Sequence, residues 1–229
     1  MLDPGKRARG LFVKLPTTDV IDLVVGAGFD FAVVDLEHSQ LGEHEAFRLI
    51  RYGHVLGLPT LVRVSAAERG LVNRLLEAGA AGIHLSTVRR AEQVRELRAA
   101  MRYAPHGNRS ISLTHPRARF GAIAVGDYLA SEERDAPLLV AQLETAETDD
   151  SLDEIVAAGP DVLFIGAMDL AVDVGLDEAR LARRIDEIAA VAARAGVPLG
   201  GFGLDDERVV YDAVSTDVGL LRRAMLDAA

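Results

Sequence analysis

Short apolar runs alternate with longer amphipathic segments along the whole chain, and this rhythm constrains the fold more than any other feature. The runs are Leu11-Phe12-Val13, Phe31–Val34, Thr60-Leu61-Val62, Gly82–Leu85, Leu138–Leu143, Val162–Ile165, Val197-Pro198-Leu199 and Val209–Val214. The intervening stretches carry apolar residues at helical spacing, most clearly 67–78, 91–101 and 181–195. Several end in Ala-Gly, at Ala27-Gly28, Ala78-Gly79, Ala158-Gly159 and Ala195-Gly196. A glycine just past a helix accepts the left-handed conformation that stops it before the next strand. Strand–helix alternation of this kind specifies a parallel sheet with helices outside. Eight runs in 229 residues fit a single (β/α)8 barrel over residues 1–229, a fold of typically ~250 residues. An open doubly wound sheet is the alternative, but no G-x-G-x-x-G follows the first run, so its dinucleotide-binding form lacks its main support.

Two stretches break the rhythm. Arg102–Asp127 is long and rich in Pro, Gly and Arg, and long loops in compact domains are usually functional or disordered. Between the seventh and eighth runs only Gly200–Arg208 remain. That predicts a shortened seventh helix, because parallel strands ordinarily need a dozen or more residues to cross over.

Composition narrows the chemistry. The net charge of −10 argues against nucleic acid and anionic membranes as partners. No apolar run approaches the ~18 residues of a membrane span, and the leading residues 1–7 carry no apolar leader segment. The chain has no cysteine, which removes disulfides, Cys–Zn sites and Cys nucleophiles, and suits a reducing cytoplasm. Lys6 and Lys14 are the only lysines. Lys14, in or beside the first strand, is therefore the sole candidate for Schiff-base chemistry, which needs a lysine in a dry pocket.

Polar groups gather where the strand runs end, the face on which α/β barrels keep their chemistry. Asp35, Glu37 and His38 follow the second run, Arg63 the third, Gln142 and Glu144 end the fifth, and Gly166-Ala167-Met168-Asp169 follow the sixth. Glu144 and Asp169 form the natural metal pair, since hard divalent cations prefer carboxylate oxygens. Alternatively, both serve as helix N-cap or first-turn acids. Arg63 suits a substrate carboxylate through its planar fork, or else holds the mouth together in a buried ion pair. Gln142 steadies a metal-bound water or fills a polar layer. A neutral His38 is a ready general base, with Asp35 three residues earlier to orient the ring, or else a hydrogen-bonded loop histidine. Glu37 has no distinct role in the sequence. His44 and His54 read as surface positions, His84 as core, and His106 and His115 lie in the long loop.

Order and spacing resemble the HpcH/HpaI aldolases, metal-dependent pyruvate aldolases related to 4-hydroxy-2-oxoheptanedioate aldolase. The matching stretches are Ala27–Asp30 through Asp35-Leu36-Glu37-His38, Leu61-Val62-Arg63, Glu92–Arg102 with Tyr103–Arg109, Gln142-Leu143-Glu144, Phe164–Leu170 and Asp217–Leu221. The resemblance implies a barrel of the phosphoenolpyruvate/pyruvate-binding type. It implies a divalent metal, Mg²⁺ or Mn²⁺ with Co²⁺ as an option, on Glu144 and Asp169. It implies that Arg63, with backbone amides near Met168-Asp169, holds the pyruvyl carboxylate, and that His38 with Asp35 makes the base. Gln142, Gly166, Met168 and Asp169 then surround the substrate. A homo-oligomer, trimer or hexamer, with a swapped last helix, is also implied. Where relatives carry Gly-Pro-Ala-Asp, this chain has Gly166-Ala167-Met168-Asp169, which sets a larger side chain at the pyruvate cradle, and Arg-Gly reads Arg109-Ser110.

The expected activity is cleavage or formation of a 4-hydroxy-2-oxo acid, with pyruvate or oxaloacetate and an aldehyde as substrates. A citrate-synthase-like or acyl-CoA-lyase-like reaction on the same site is one alternative. A barrel that binds ligand without turnover is another.

Overall fold

The computed structural model describes residues 6–229; the leading residues 1–5, within the stretch expected to hold no leader segment, lie outside them. Eight parallel strands close in sequence order: β1 Ala8–Val13, β2 Phe31–Asp35, β3 Thr60–Val64, β4 Gly82–Leu85, β5 Leu138–Leu143, β6 Val162–Ile165, β7 Leu199–Phe202 and β8 Val209–Thr216. The expected (β/α)8 barrel is the observed fold.

Strand parity divides each run between two apolar layers. Leu11, Val13, Ala32, Val34, Val62, Val64, Ile83, Leu85, Leu139, Ala141, Leu163 and Ile165 face the helices. Phe12, Phe31, Val33, Leu61, Val140, Val162 and Phe164 fill the lumen with Tyr211 and Ala213. Both faces are therefore buried, which is why the runs read as continuous rather than alternating. Gly10 makes room for this inner layer: a Cβ there would meet the Phe31 ring at 2.1 Å, and Phe31 stacks on Tyr211 with ring centroids 4.2 Å apart.

The helices are α1 Asp19–Gly26, α2 Glu43–Val55, α3 Arg69–Ala78, α4 Ala91–Met101, α5 Val125–Arg134, α6 Leu152–Ala157, α7 Ala167–Asp173, α8 Glu178–Ala195 and α9 Asp217–Asp227. The expected Ala-Gly stops work as such: Gly79 and Gly196 end α3 and α8 in the left-handed region, at φ 111° and 67°. Start signals are equally local. Glu68 accepts the amides of Gly70 and Leu71 at the head of α3, and Ser151 with Glu154 forms a capping box on α6.

The long loop is shorter than its sequence suggests, because α5 begins at Val125 and a 3₁₀ turn occupies Pro116–Gly121. The shortened seventh helix expected before the last strand is not formed: among the described residues no helix joins β7 to β8. The four-residue β7 is ~13 Å long, and the six-residue link can span ~20 Å, so extended chain suffices. Arg7 holds this link, with Nη2 donating to the Leu204 carbonyl at 3.3 Å and Nε to Asp212 at 3.1 Å. Among the described residues, no helix is long and apolar enough to cross a membrane.

Candidate active site

The inward parity of the lumen continues past the strand ends, where it carries polar side chains. Lys14 extends the Phe12 row, Asp35 the Phe31–Val33 row, Arg63 the Leu61 row, Gln142 and Glu144 the Val140 row, and Gly166 the Phe164 row. These groups therefore meet at one mouth although they are far apart in sequence. A cavity of ≈ 360 Å³ opens there, lined among others by Lys14, His38, Arg63, Gln142, Met168 and Asp169 over the rings of Phe12 and Phe164.

Asp35 and Arg63 are direct neighbours across the β2–β3 ladder. Arg63 donates Nε to Oδ1 at 2.9 Å and Nη2 to Oδ2 at 2.7 Å. Its guanidinium carbon lies 4.5 Å from the Phe12 ring centroid, a cation–π arrangement. Asp35 also accepts the amides of Glu37 and His38 at 3.1 and 3.2 Å, and Lys14 Nζ lies 3.2 Å from Oδ2. Burial by itself raises the Asp35 carboxyl, but the Arg63 bonds and charge, the His38 amide and Lys14 outweigh it, leaving it well below the usual carboxylate range.

This corrects one expectation. Asp35 reaches His38 only through the backbone amide, because the strand turns Asp35 inward to Arg63 before the chain bends to His38. The carboxylate beside the ring is Glu37, whose Oε2 lies 3.7 Å from His38 Nε2. Glu37 Oε1 accepts Ser86 Oγ at 2.5 Å, while Oε2 is buried without a hydrogen bond, 3.4 Å from Arg63 Nε. Arg63 in turn gives Nε and Nη2 to Asp35, so the ion-pair reading of Arg63 describes that edge of the fork. Lys14 is likewise engaged, donating to the His38 carbonyl at 2.9 Å. With its Nζ taken up by that carbonyl and the Asp35 carboxylate, Lys14 is not free to attack a carbonyl as a Schiff-base nucleophile must.

Glu144 is 6% exposed and held on both oxygens. Oε1 accepts the Thr87 amide at 2.7 Å and its hydroxyl at 2.6 Å, and Oε2 accepts Gln142 Nε2. Thr87 adopts φ 48°, an outlying conformation for a β-branched residue, and so aims both donors at one oxygen. Sequence reasoning did not single out Thr87; a polar pair, Ser86-Thr87, directly after the β4 run was the available signal. Asp169 lies exposed in the first turn of α7 and borders the cavity. Gly166 lets the two elements approach: a Cβ there would sit 2.6 Å from Glu144 Oε2 and 3.0 Å from Gln142 Nε2. Met168 is 75% exposed and lines the mouth cavity from its rim. His84 is fully buried in the lumen, as expected, and bonds Gln142.

The donor set fits a hard divalent cation. Among the described residues, no three or more His, Cys, Asp or Glu groups gather as a full ligand cage. Two carboxylates with the remaining positions left to water and substrate is the arrangement Mg²⁺ commonly takes. Glu144 Oε2, with a single hydrogen bond and the Gly166 gap beside it, keeps lone-pair capacity for such a ligand.

The sequence profile of the HpcH/HpaI aldolase/citrate lyase family matches residues 8–205. A hydroxypyruvate/pyruvate aldolase of Roseovarius nubinhibens is 34% identical over 198 residues, 82% of this chain and 74% of that protein. A 4-hydroxy-4-methyl-2-oxoglutarate aldolase of Hapsidospora irregularis is 30% identical over 215 residues, 91% of this chain and 80% of that protein. The crystal structure of an HpcH/HpaI aldolase from Desulfitobacterium hafniense superposes with a TM-score of 0.89 at 25% identity, covering 98% of this chain and 92% of that one. Barrel, profile and relatives agree: the chain belongs to the HpcH/HpaI aldolase/citrate lyase family and is a carbon–carbon lyase, which sets aside a barrel without turnover.

Proposed function

We propose that the protein is a divalent-metal-dependent aldolase that cleaves or forms a 4-hydroxy-2-oxo acid, with pyruvate enolate as intermediate and an aldehyde as second product or substrate. The observation that carries this is the shared mouth cavity, to which His38, Arg63, Gln142 and Asp169 all contribute. The pyruvate and 2-oxoglutarate compounds in the relatives' names support a 2-oxo acid here.

Glu144 and Asp169 are the residues that would hold the cation, Mg²⁺ or Mn²⁺. When bound, it supplies Lewis-acid stabilisation of the negative charge that develops on the 2-oxo acid, a contribution of several kcal/mol. In cleavage, His38 takes the proton of the 4-hydroxyl as the C3–C4 bond breaks. The electron pair of that bond passes into the pyruvate enolate and the hydroxyl carbon leaves as the aldehyde. Glu37, at 3.7 Å, stabilises the imidazolium that forms. Arg63, with Nε and Nη2 fixed on Asp35, meets the substrate carboxylate through Nη1. Gln142 and Gly166 shape the pyruvyl end and Met168 the outer rim. In synthesis the same proton returns from His38 to the new alkoxide.

The proposal extends to a homo-oligomer in a reducing cytoplasm. Val218, Leu221, Met225 and Leu226 leave an exposed apolar face on α9 that a second copy would cover, and a chain without cysteine suits that compartment.

A panel of aldehydes offered with pyruvate and Mn²⁺ tests the reading: a metal-dependent aldol product from at least one is expected. Turnover only with oxaloacetate and an acyl-CoA would instead favour the citrate branch within the family's description.

A further inference from the structure

His84 takes no part in the chemistry proposed above, yet it stands behind it. The ring lies on β4, beside Arg63 in the strand ladder and fully buried. It meets Phe164 edge-on at 4.6 Å between centroids and Phe12 at 5.8 Å. Burial, helped by the Arg63 charge, pushes its pKa down to about 3, so the ring is neutral and carries one N–H.

Which nitrogen carries it follows from the neighbours. A carboxylate only accepts, so Gln142 must turn its amide NH₂ to Glu144 Oε2. That leaves Gln142 Oε1 facing His84 Nε2 at 2.7 Å, an acceptor that requires Nε2–H. His84 Nδ1 is then a bare acceptor, buried without a partner. An unpaired buried acceptor is a cost that an aliphatic residue in this aromatic layer would avoid. The position keeps an imidazole whose one satisfied atom points at Gln142.

We propose that His84 is a positioning residue for Glu144: its Nε2–H locks the Gln142 amide so that Nε2 of Gln142 holds Glu144 Oε2 while Thr87 holds Oε1. The inference rests on the reading of Glu144 as a metal ligand. Without the His84 donor the amide is free to rotate, and its oxygen in place of its NH₂ would repel the carboxylate.

Two measurements test this. In ¹⁵N spectra of histidine-labelled wild type at neutral pH, His84 is expected as a single Nε2–H tautomer, which becomes mixed in Glu144→Ala. An Nδ1–H ring, or one indifferent to Glu144, overturns the proposal. In Mn²⁺ titrations, His84→Phe keeps an aromatic ring but removes the donor, and should weaken binding ~10–100-fold, the usual effect of losing an outer partner of a metal ligand. His84→Gln, which restores a donor of similar reach, should recover most of that affinity. Equal Mn²⁺ affinity in wild type and His84→Phe overturns this inference alone. A wild type that binds no Mn²⁺ overturns the functional reading on which it rests. If His84→Phe fails to fold, the tautomer measurement on the wild type and on Glu144→Ala decides the matter.

Discussion

Arg63 grips Asp35 across the β2–β3 ladder with two parallel hydrogen bonds of 2.9 and 2.7 Å, inside a site where Asp35 is fully buried. Removing one partner of a buried pair leaves an uncompensated charge and costs ~3–5 kcal/mol. Glu37, 3.4 Å from Arg63 Nε, takes up part of that charge. Asp35→Ala should therefore destabilise the fold by about 3 kcal/mol, the lower end of that range, read as a lower urea midpoint at unchanged slope. A loss under 1 kcal/mol would show that the pair does not hold the mouth together.

The same pair sets a pH dependence. The folded carboxyl lies below its ordinary value of 3.8, so the unfolded chain binds the proton more readily. The stabilisation is full above the unfolded pKa and is lost as pH falls through the folded one. The stability difference between wild type and Asp35→Asn should be flat from about pH 5 to 8 and shrink below about pH 4. Urea melts at each pH measure this. A difference that grows on acidification would reverse the sign and refute the assignment.

Gly166→Ala is expected to be far more damaging than its single methyl suggests. Its φ of −83° is one that residues with a side chain adopt, and the effect is steric: the new Cβ meets Glu144 Oε2 at 2.6 Å and Glu144 Cβ at 2.7 Å. Overpacking of this kind costs ~1–3 kcal/mol, and a displacement of order 1 Å at a reacting site can cost ~10²-fold in rate. Activity should fall by about that factor, with the far-UV circular dichroism unchanged. Full activity would show that Glu144 need not sit against α7.

The barrel was legible because its signals are local. Seven of the eight apolar runs became strands and the Ala-Gly stops ended helices; the seventh run only touches its strand, which begins at its last residue, Leu199, and the shortened seventh helix expected from Gly200–Arg208 is replaced by strand and extended link. Strand parity also explains why Asp35, Arg63, Gln142 and Glu144 face one mouth. The partners within the mouth were less legible. Spacing alone sets Asp35 beside the His38 ring three residues away, whereas the ladder register pairs it with Arg63, 28 residues on. Glu37, without a role in the sequence, is the carboxylate beside that ring. Thr87 and Glu144, like His84 and Gln142, meet through the β4–β5 register, and Ser86 and Glu37 meet where β4 and β2 end on either side of β3. Register between strands is a tertiary fact that spacing along one strand does not encode.

His38→Ala should separate two half-reactions. Loss of a positioned base lowers rates by ~10²–10⁴-fold, and aldol cleavage needs that base at the 4-hydroxyl. Oxaloacetate decarboxylation breaks a C–C bond with no hydroxyl to deprotonate and should lose much less. Steady-state kinetics on both substrates with the same preparation measure this, and equal losses would make His38 a structural residue of the mouth.

The most direct measurement of the central claim needs no aldehyde. Wild-type protein with Mn²⁺ or Mg²⁺ in D₂O should exchange the methyl protons of pyruvate for deuterium, followed by proton NMR, because a site built as proposed would form the enolate and reprotonate it. Chelation of the metal, Glu144→Ala and Asp169→Ala should each abolish the exchange. No exchange with either metal, or exchange that survives loss of either carboxylate, would contradict the account.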